Sequence, residues 1–170
     1  ENKNVVVLGL ARSGIAASKF LRKRGCNVTV NDMKKEEDKE ILSEFENLGI
    51  KVILGSHPDD LINETVDYLI KNPGVPIDHK YVLKAREPGI EVINEAEMAF
   101  RLLPEDIKLM AITGTNGKTT TTTLTYEMMK AYYKEKVFLT GNIGYPMTDL
   151  LGKVKSGDYI VMEVSCQQQS

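Results

Sequence analysis

Seven consecutive residues near the middle of the chain, Thr113-Gly114-Thr115-Asn116-Gly117-Lys118-Thr119, combine the residue types that hold phosphate. Phosphate is gripped by backbone N–H groups that converge where a strand turns into a helix. Glycines let the chain wrap tightly, and the helix N-terminus adds favourable partial charge. The flanks supply that context, because 108–113 reads as a short strand and 119–132 as a helix. Gly114 and Gly117 provide the permissive backbone, Lys118 is placed to reach the β- and γ-phosphates of ATP, and the Thr119 hydroxyl is placed to ligate Mg²⁺. Thr115, Asn116 and Thr120 complete the residues expected to contact the nucleotide. The strict Walker pattern wants a glycine where Ile112 stands, so this loop departs from it.

A second chemical feature follows downstream. Glu163 ends the strand expected at 159–164, and in a parallel sheet it shares an edge with the phosphate loop. A carboxylate there suits a hard cation such as Mg²⁺. The plain alternative is a solvated strand-end acid. A third feature opens the chain. Gly9-Leu10-Ala11-Arg12-Ser13-Gly14 falls between a strand and a helix, with Asp32 at the end of the next strand. It resembles G-x-G-x-x-G with Ala at the second glycine, a weak dinucleotide fingerprint that suits any pyrophosphate. An NAD-dependent oxidoreductase is therefore one reading of this segment, and a nucleotide-binding module without turnover is another. His57 and His79 lie in polar, loop-like stretches with no partner at ligand spacing, and read as surface histidines.

Short β-branched runs alternate with helix-length segments almost throughout. Strands are expected at 5–10, 28–30, 51–54, 68–70 and 91–93, and helices at 15–24, 36–48, 79–86 and 95–103. Gly25 and Gly49 stop the first two helices. Such alternation predicts an α/β fold with a Rossmann-like parallel sheet. Pro104-Glu105-Asp106 is the best linker, after which the pattern restarts with strands at 108–113, 137–140 and 159–164. The expected organisation is a domain at 1–104 and the start of a P-loop α/β central domain at 105–170. Three strands are few for an open sheet, which suggests truncation of the second domain. Thr119–123 is a run of five threonines, odd for a helix chosen on propensity alone.

Of the 170 residues, 42% are hydrophobic and 27% charged, as in ordinary globular proteins. A formal charge of −2 leaves no basic footprint for nucleic acid. The apolar run 5–11 is far too short for a bilayer span of roughly 20 residues. No signal peptide is visible, and the lack of an initiator Met suggests a start further upstream. Cys26 and Cys166 lack metal-ligand spacing and fit a reduced cytoplasmic protein.

The loop T-G-T-N-G-K-T-T-T resembles the ATP loop of the Mur ligase family and of its relative folylpolyglutamate synthetase. Those enzymes join a carboxylate to an amine through an acyl phosphate. Folylpolyglutamate synthetase typically has Gly-Ser after the loop lysine and no nucleotide-sugar domain, so Thr119-Thr120 and residues 1–100 favour the Mur ligases. V-V-V-L-G-L-A-R-S-G is similar to the opening of the D-glutamate-adding members, and Lys71-Asn72-Pro73-Gly74-Val75-Pro76 resembles their S-P-G-I-P turn. Gly141-Asn142-Ile143-Gly144 is like their G-N-I-G loop.

The resemblance implies a peptidoglycan-precursor ligase that is cytoplasmic, monomeric and free of nucleic-acid or membrane partners. Its substrates would be ATP, UDP-N-acetylmuramoyl-L-alanine and D-glutamate, with Mg²⁺. It places Ala11, Arg12, Ser13 and Gly14 at the UDP-sugar, although Arg12 is not at a signature position. Asp32, Met33 and Lys34 would meet the uridine, Gly74 would let the backbone approach the nucleotide, and Asn142 would contact the muramoyl substrate. Lys118, Asn142 and Glu163 would be catalytic, with Thr119 and Glu163 on the metal. In the family pattern E-x-S-S-F-Q-L, Ser165 and Gln168 match, whereas Cys166, Gln167 and Gln169 do not. The family also uses a later His, a carbamylated Lys and a C-terminal domain, so residues 1–170 alone are expected to make no product.

Overall fold

In the computed structural model, which describes residues 2–35 and 37–164, the chain forms two compact units, Glu1–Glu95 and Ala96–Ser170. The first contains β1 (Asn4–Leu8), α1 (Arg12–Lys23), β2 (Asn27–Asp32), α2 (Lys39–Leu48), β3 (Lys51–Leu54), β4 (Tyr68–Lys71), α3 (Lys80–Arg86) and β5 (Glu91–Asn94). Its strands form one all-parallel sheet in the order β3-β2-β1-β4-β5. A parallel sheet is covered on both faces, so its inner strands must be apolar on both sides. Val5, Val6, Val7 and Leu8 of β1 are accordingly all buried. Successive side chains alternate between faces. Val6, Leu8 and Leu69 thus share a cluster with Tyr81, Val82 and Ala85 of α3 and with Ile62 and Val66 of the β3–β4 connection. That connection contains no helix. Cys26 is a buried free thiol.

The strand order reverses between β1 and β4. In an open α/β sheet that is the place where strand ends and their loops part to leave a crevice.

The second unit comprises most of α4 (Glu95–Phe100), β6 (Lys108–Ile112), α5 (Lys118–Tyr133), β7 (Val137–Gly141) and β8 (Tyr159–Glu163), with 3-10 turns at Lys134–Lys136 and Met147–Leu150. Its parallel sheet has the order β6-β8-β7. Ala99 packs with Met147, Leu150, Val154, Ile160 and Met162, and Ala96 and Leu103 join from the side. Those contacts tie residues 96–103 to the second unit, so the compact units part before Ala96 rather than at the Pro104 linker. Leu124, Met128 and Tyr132 form an exposed i, i+4, i+8 stripe on α5, and Leu109 and Met110 of edge strand β6 are also exposed. Of the five threonines only Thr122 is buried, its hydroxyl donating to the Lys118 carbonyl at 2.8 Å. Among the described residues, no helix is long and apolar enough to cross a membrane.

Candidate functional site

In the second unit, β6 delivers the chain into the 113–117 loop and α5 takes it away. Gly117 is the N-cap of α5 with a left-handed backbone (φ 73°), and no side chain caps this helix or places an acid in its first turn. The Thr121 N–H already returns to the Gly117 carbonyl at 2.9 Å. The N–H groups of Lys118, Thr119 and Thr120, ahead of that first bond, point out of the helix end as an anion site requires. The Lys118 ammonium folds over the loop, donating to the Gly114 carbonyl at 2.6 Å and the Thr115 carbonyl at 3.4 Å. Thr115, Asn116, Thr119 and Thr120 are exposed, with their loop open to a ligand.

Glu163 ends the central strand β8, in register with Ile112 on one side and Gly141 on the other. It is only 3% exposed, and its Oε2 has no hydrogen-bond partner. The solvated-acid alternative is therefore excluded for this side chain. Gly141 is required here, because a Cβ would lie 2.1 Å from the Glu163 carbonyl oxygen. The close approach lets Asn142 N–H donate to the same carbonyl at 3.3 Å, while the Thr140 hydroxyl pins the loop by donating to Tyr145 O at 2.7 Å. Strand register thus brings the phosphate loop, Glu163 and exposed Asn142 to one edge of one sheet. Among the described residues, no three His, Cys, Asp or Glu side chains cluster as a metal cage. A lone orphaned carboxylate with a threonine hydroxyl nonetheless fits Mg²⁺, which keeps several waters and takes one or two carboxylates beside substrate phosphates.

The first unit builds its own site at the β1–β4 reversal. Ala11 is the N-cap of α1, again without a side-chain cap or an acidic first turn. Gly14 sits so close to the strand-end loop that a Cβ would lie 2.1 Å from Gly9 O. Arg12 is exposed and Ser13 half-buried. Asp32 uses both carboxylate oxygens locally: Oδ2 accepts from Leu10 N at 2.6 Å and Oδ1 from Lys34 N at 2.9 Å. It therefore ties the loop after β1 to the end of β2. Met33 is 55% exposed, and Lys34 pairs with Glu37 at 3.4 Å. In the Asn72-Pro73-Gly74 turn, Val75 N donates to Asn72 O at 2.9 Å. A Cβ on Gly74 would meet nothing within 4 Å, so the fold itself does not demand glycine there. Lys71 is buried and donates to Val75 O at 3.2 Å; burial, and then Arg86, hold its ammonium below the ordinary lysine range.

A cavity of about 210 Å³ opens at this reversal, lined by Gly9, Asp32, Met33 and Gly74 together with His57 and His79. The two histidines correct the surface reading. Both are half-buried, their ring centroids are 5.0 Å apart edge to face, and each also meets Tyr81. His57 Nδ1 bonds to Asn31 Oδ1, and His79 Nδ1 accepts from Tyr81 N at 3.3 Å as the cap of α3. Burial, reinforced by Lys80, lowers the pKa of both rings, with His79 adding to the effect on His57. Burial beside Asp59 and Asp60 pushes Tyr81 up to about 12. Ser165 to Gln169, the segment that departs from the family pattern, lies outside the described residues.

Residues 3–94 match the family model of the Mur ligase MurD-like N-terminal domain, and residues 112–170 match the Mur ligase middle domain. The chain belongs to the Mur ligase family. UDP-N-acetylmuramoylalanine–D-glutamate ligase from Enterococcus hirae is 46% identical over 169 residues, covering 99% of this chain and 36% of the relative. The enzyme of the same name from Streptococcus agalactiae is 45% identical over 168 residues, covering 99% and 37%. The chain therefore spans just over a third of the length of these curated Mur ligases. Among solved structures, UDP-N-acetylmuramate:L-alanyl-gamma-D-glutamyl-meso-diaminopimelate ligase from Neisseria meningitides superposes with a TM-score of 0.56 at 17% identity, over 96% of this chain and 52% of that one. This likeness shows the Mur ligase fold. A pseudomurein peptide ligase type C from Methanothermus fervidus matches at a TM-score of 0.52 and 26% identity, over 96% and 33% of the two chains.

Proposed function

We propose that this chain is the nucleotide-binding part of a cytoplasmic, monomeric ligase that uses ATP and Mg²⁺ to add D-glutamate to UDP-N-acetylmuramoyl-L-alanine. The observation that carries the reading is the second unit's sheet edge: an uncapped, acid-free helix start with Lys118 over its loop, beside a buried carboxylate with an unpartnered oxygen. An oxidoreductase using only the first unit leaves that edge without a purpose. The names of the 42–46% identical relatives support the choice of amine and carboxylate.

In the first step, a carboxylate oxygen of the UDP-sugar substrate bonds to the γ-phosphorus of ATP as the bond to the ADP oxygen breaks. Such transfer rests on positioning and charge stabilisation. The N–H groups of Gly114, Thr115, Asn116, Gly117, Lys118, Thr119 and Thr120 cradle the phosphates, and the Lys118 ammonium exchanges its loop carbonyls for phosphate oxygens. Thr119 and Glu163 would hold Mg²⁺, which when bound would supply further neutralisation of phosphate charge. The free amine of D-glutamate then attacks the acyl carbon. The tetrahedral intermediate collapses to the amide with release of phosphate, and the amine proton passes to solvent. Asn142 orients the muramoyl part. Ala11, Arg12, Ser13 and Gly14 hold the pyrophosphate, while Asp32, Met33, Lys34 and Gly74 border the uridine.

Lys118→Ala in the full-length protein is expected to lower substrate-dependent phosphate release by a factor of about 10² to 10³, the usual cost of one transition-state donor. Retention of wild-type rates would sink the assignment. Residues 1–170 alone are expected to bind nucleotides without forming product.

A further inference from the structure

The second unit carries an aromatic cluster at the end of its sheet opposite the ATP loop. Lys108, Val137 and Tyr159 open β6, β7 and β8 in register, whereas Glu163 closes β8 at the phosphate-loop end. Helix α5 runs back to the opening end and finishes at Tyr133, whose ring stacks on Tyr159 with centroids 4.2 Å apart and planes inclined by 28°. Tyr132 comes nearly as close to Tyr133, at 4.7 Å, but stands edge to face at 75°. Lys134, the C-cap of α5, holds a left-handed backbone (φ 57°) that non-glycine residues seldom adopt, and it turns the chain directly after the stacked ring. The Lys108 ammonium lies 4.8 Å from the Tyr159 ring centroid and donates to its phenol oxygen at 3.2 Å. Donation from Tyr133, and then from Lys108, holds the Tyr159 phenol below the ordinary tyrosine range, and the same contact holds Tyr133 above it. Both rings meet solvent, Tyr133 at 37% exposure and Tyr159 half-buried.

Aromatic stacking adds packing energy in any fold. Here one phenol ring also overlies another, beside a cation that favours the phenolate. We propose that Tyr133 and Tyr159 are an oxidative modification site, at which a one-electron oxidant joins the two rings as an intramolecular dityrosine. Each ring gives one electron to the oxidant and its phenolic proton to solvent. Tyr159 is oxidised first, because a phenolate gives up an electron more readily than a phenol. The unpaired spin of a phenoxyl radical lies partly on the carbons ortho to oxygen, so the two radicals join by a bond between one ortho carbon of each ring. The hydrogen on each of those carbons then moves to its own ring's oxygen, restoring both aromatic phenols. The pair has lost two electrons and two protons, and two equivalents of oxidant have been reduced. The perpendicular ring of Tyr132 lacks the overlap that this coupling needs. The new bond closes residues 134–158, which include β7 and Asn142, into a covalent loop that restrains the unit from the end opposite the ATP loop.

The experiment exposes dilute full-length protein to ruthenium(III) tris-bipyridine, generated by light with persulfate. Peptide mass spectrometry then locates the cross-link, with fragment ions separating Tyr133 from Tyr132. The expected product is a peptide pair joined from Tyr133 to Tyr159 and lighter by two hydrogens than the separate peptides. Preorganised overlap should favour it over Tyr132 coupling and over intermolecular coupling by a factor of about 10 or more. Tyr133→Phe and Tyr159→Phe keep the stacked ring, and each should lower intramolecular dityrosine fluorescence by about the same factor. In urea-unfolded protein the preference for Tyr133 should vanish. Coupling through Tyr132, coupling only between molecules, or no dityrosine in the native protein overturns the proposal. A preference that survives in urea overturns it too, because the fold would then not be its source. If a variant fails to fold, the wild-type peptide map decides alone: the Tyr133–Tyr159 pair supports the proposal and its absence overturns it.

Discussion

Gly14→Ala tests whether the packing that shapes the first unit's loop is real. Gly14 lies in the first turn of α1, where alanine is the better helix former by up to about 1 kcal/mol. Propensity alone therefore predicts stabilisation. Contact predicts the opposite, because the added Cβ would stand 2.1 Å from Gly9 O, 3.2 Å from Gly9 C and 3.6 Å from Val7 Cγ1. The atom in the way is backbone and cannot rotate aside. Gly9 is also pinned, its N–H donating to Asn31 O at 2.9 Å. Overpacking costs about 1–3 kcal/mol, and a rigid neighbour puts this site at the upper end, so the net loss is about 2 kcal/mol. With a urea slope of about 2 kcal/mol/M, the midpoint of the first unit should fall by about 1 M. Urea unfolding followed by circular dichroism and by uridine-nucleotide binding measures both the stability and the displaced loop. Gly74→Ala is the control: nothing lies within 4 Å of its Cβ, so stability should hold while nucleotide affinity drops. A Gly14→Ala protein as stable as wild type, or more so, would refute the packing argument.

Glu163→Gln should raise the Mg²⁺ concentration needed for half-maximal activity at least tenfold, while leaving the metal-free melting temperature unchanged or higher, since it removes a buried carboxylate with an orphaned oxygen. An unaltered Mg²⁺ dependence would remove Glu163 from the metal. For pH, His57 and His79 are depressed from 6.5 in the folded state, so the unfolded chain binds protons first. Their contribution is complete above pH 6.5 and is lost as pH falls from there through the folded values. Urea midpoints should therefore drop between pH 6.5 and 5 in wild type and less in the His57→Asn, His79→Asn double variant; equal drops would contradict this.

The elements were legible because parallel sheets need apolar runs and phosphate loops need a strand before and a helix after. The five strands of the first unit, the 113–119 loop and Glu163 all follow from local pattern. The histidines did not. His57 comes from the helix-free β3–β4 connection and His79 from the turn before α3, and they meet because the chain returns from edge strand β3 past β2 and β1 to place β4 beside β1. The one available hint was His79 standing two residues before Tyr81, the distance at which a cap reaches back to a helix N–H. The position of residues 96–103 was likewise hidden, since their packing with Met147 and Ile160 is non-local. The tie of Asp32 to Leu10 N is not legible from spacing, because the partner lies 22 residues away in the loop after β1.

If the 113–119 loop serves amide formation, phosphate release must require both the UDP-sugar carboxylate and the D-glutamate amine. The most direct measurement is phosphate release by the full-length protein with ATP, Mg²⁺ and UDP-N-acetylmuramoyl-L-alanine, with D-glutamate compared against L-glutamate, L-lysine and L-alanine. Release that depends on the UDP-sugar and D-glutamate together, and disappears in Lys118→Ala, is the predicted result. Release that ignores the amino acid offered, or that persists without Lys118, would contradict it.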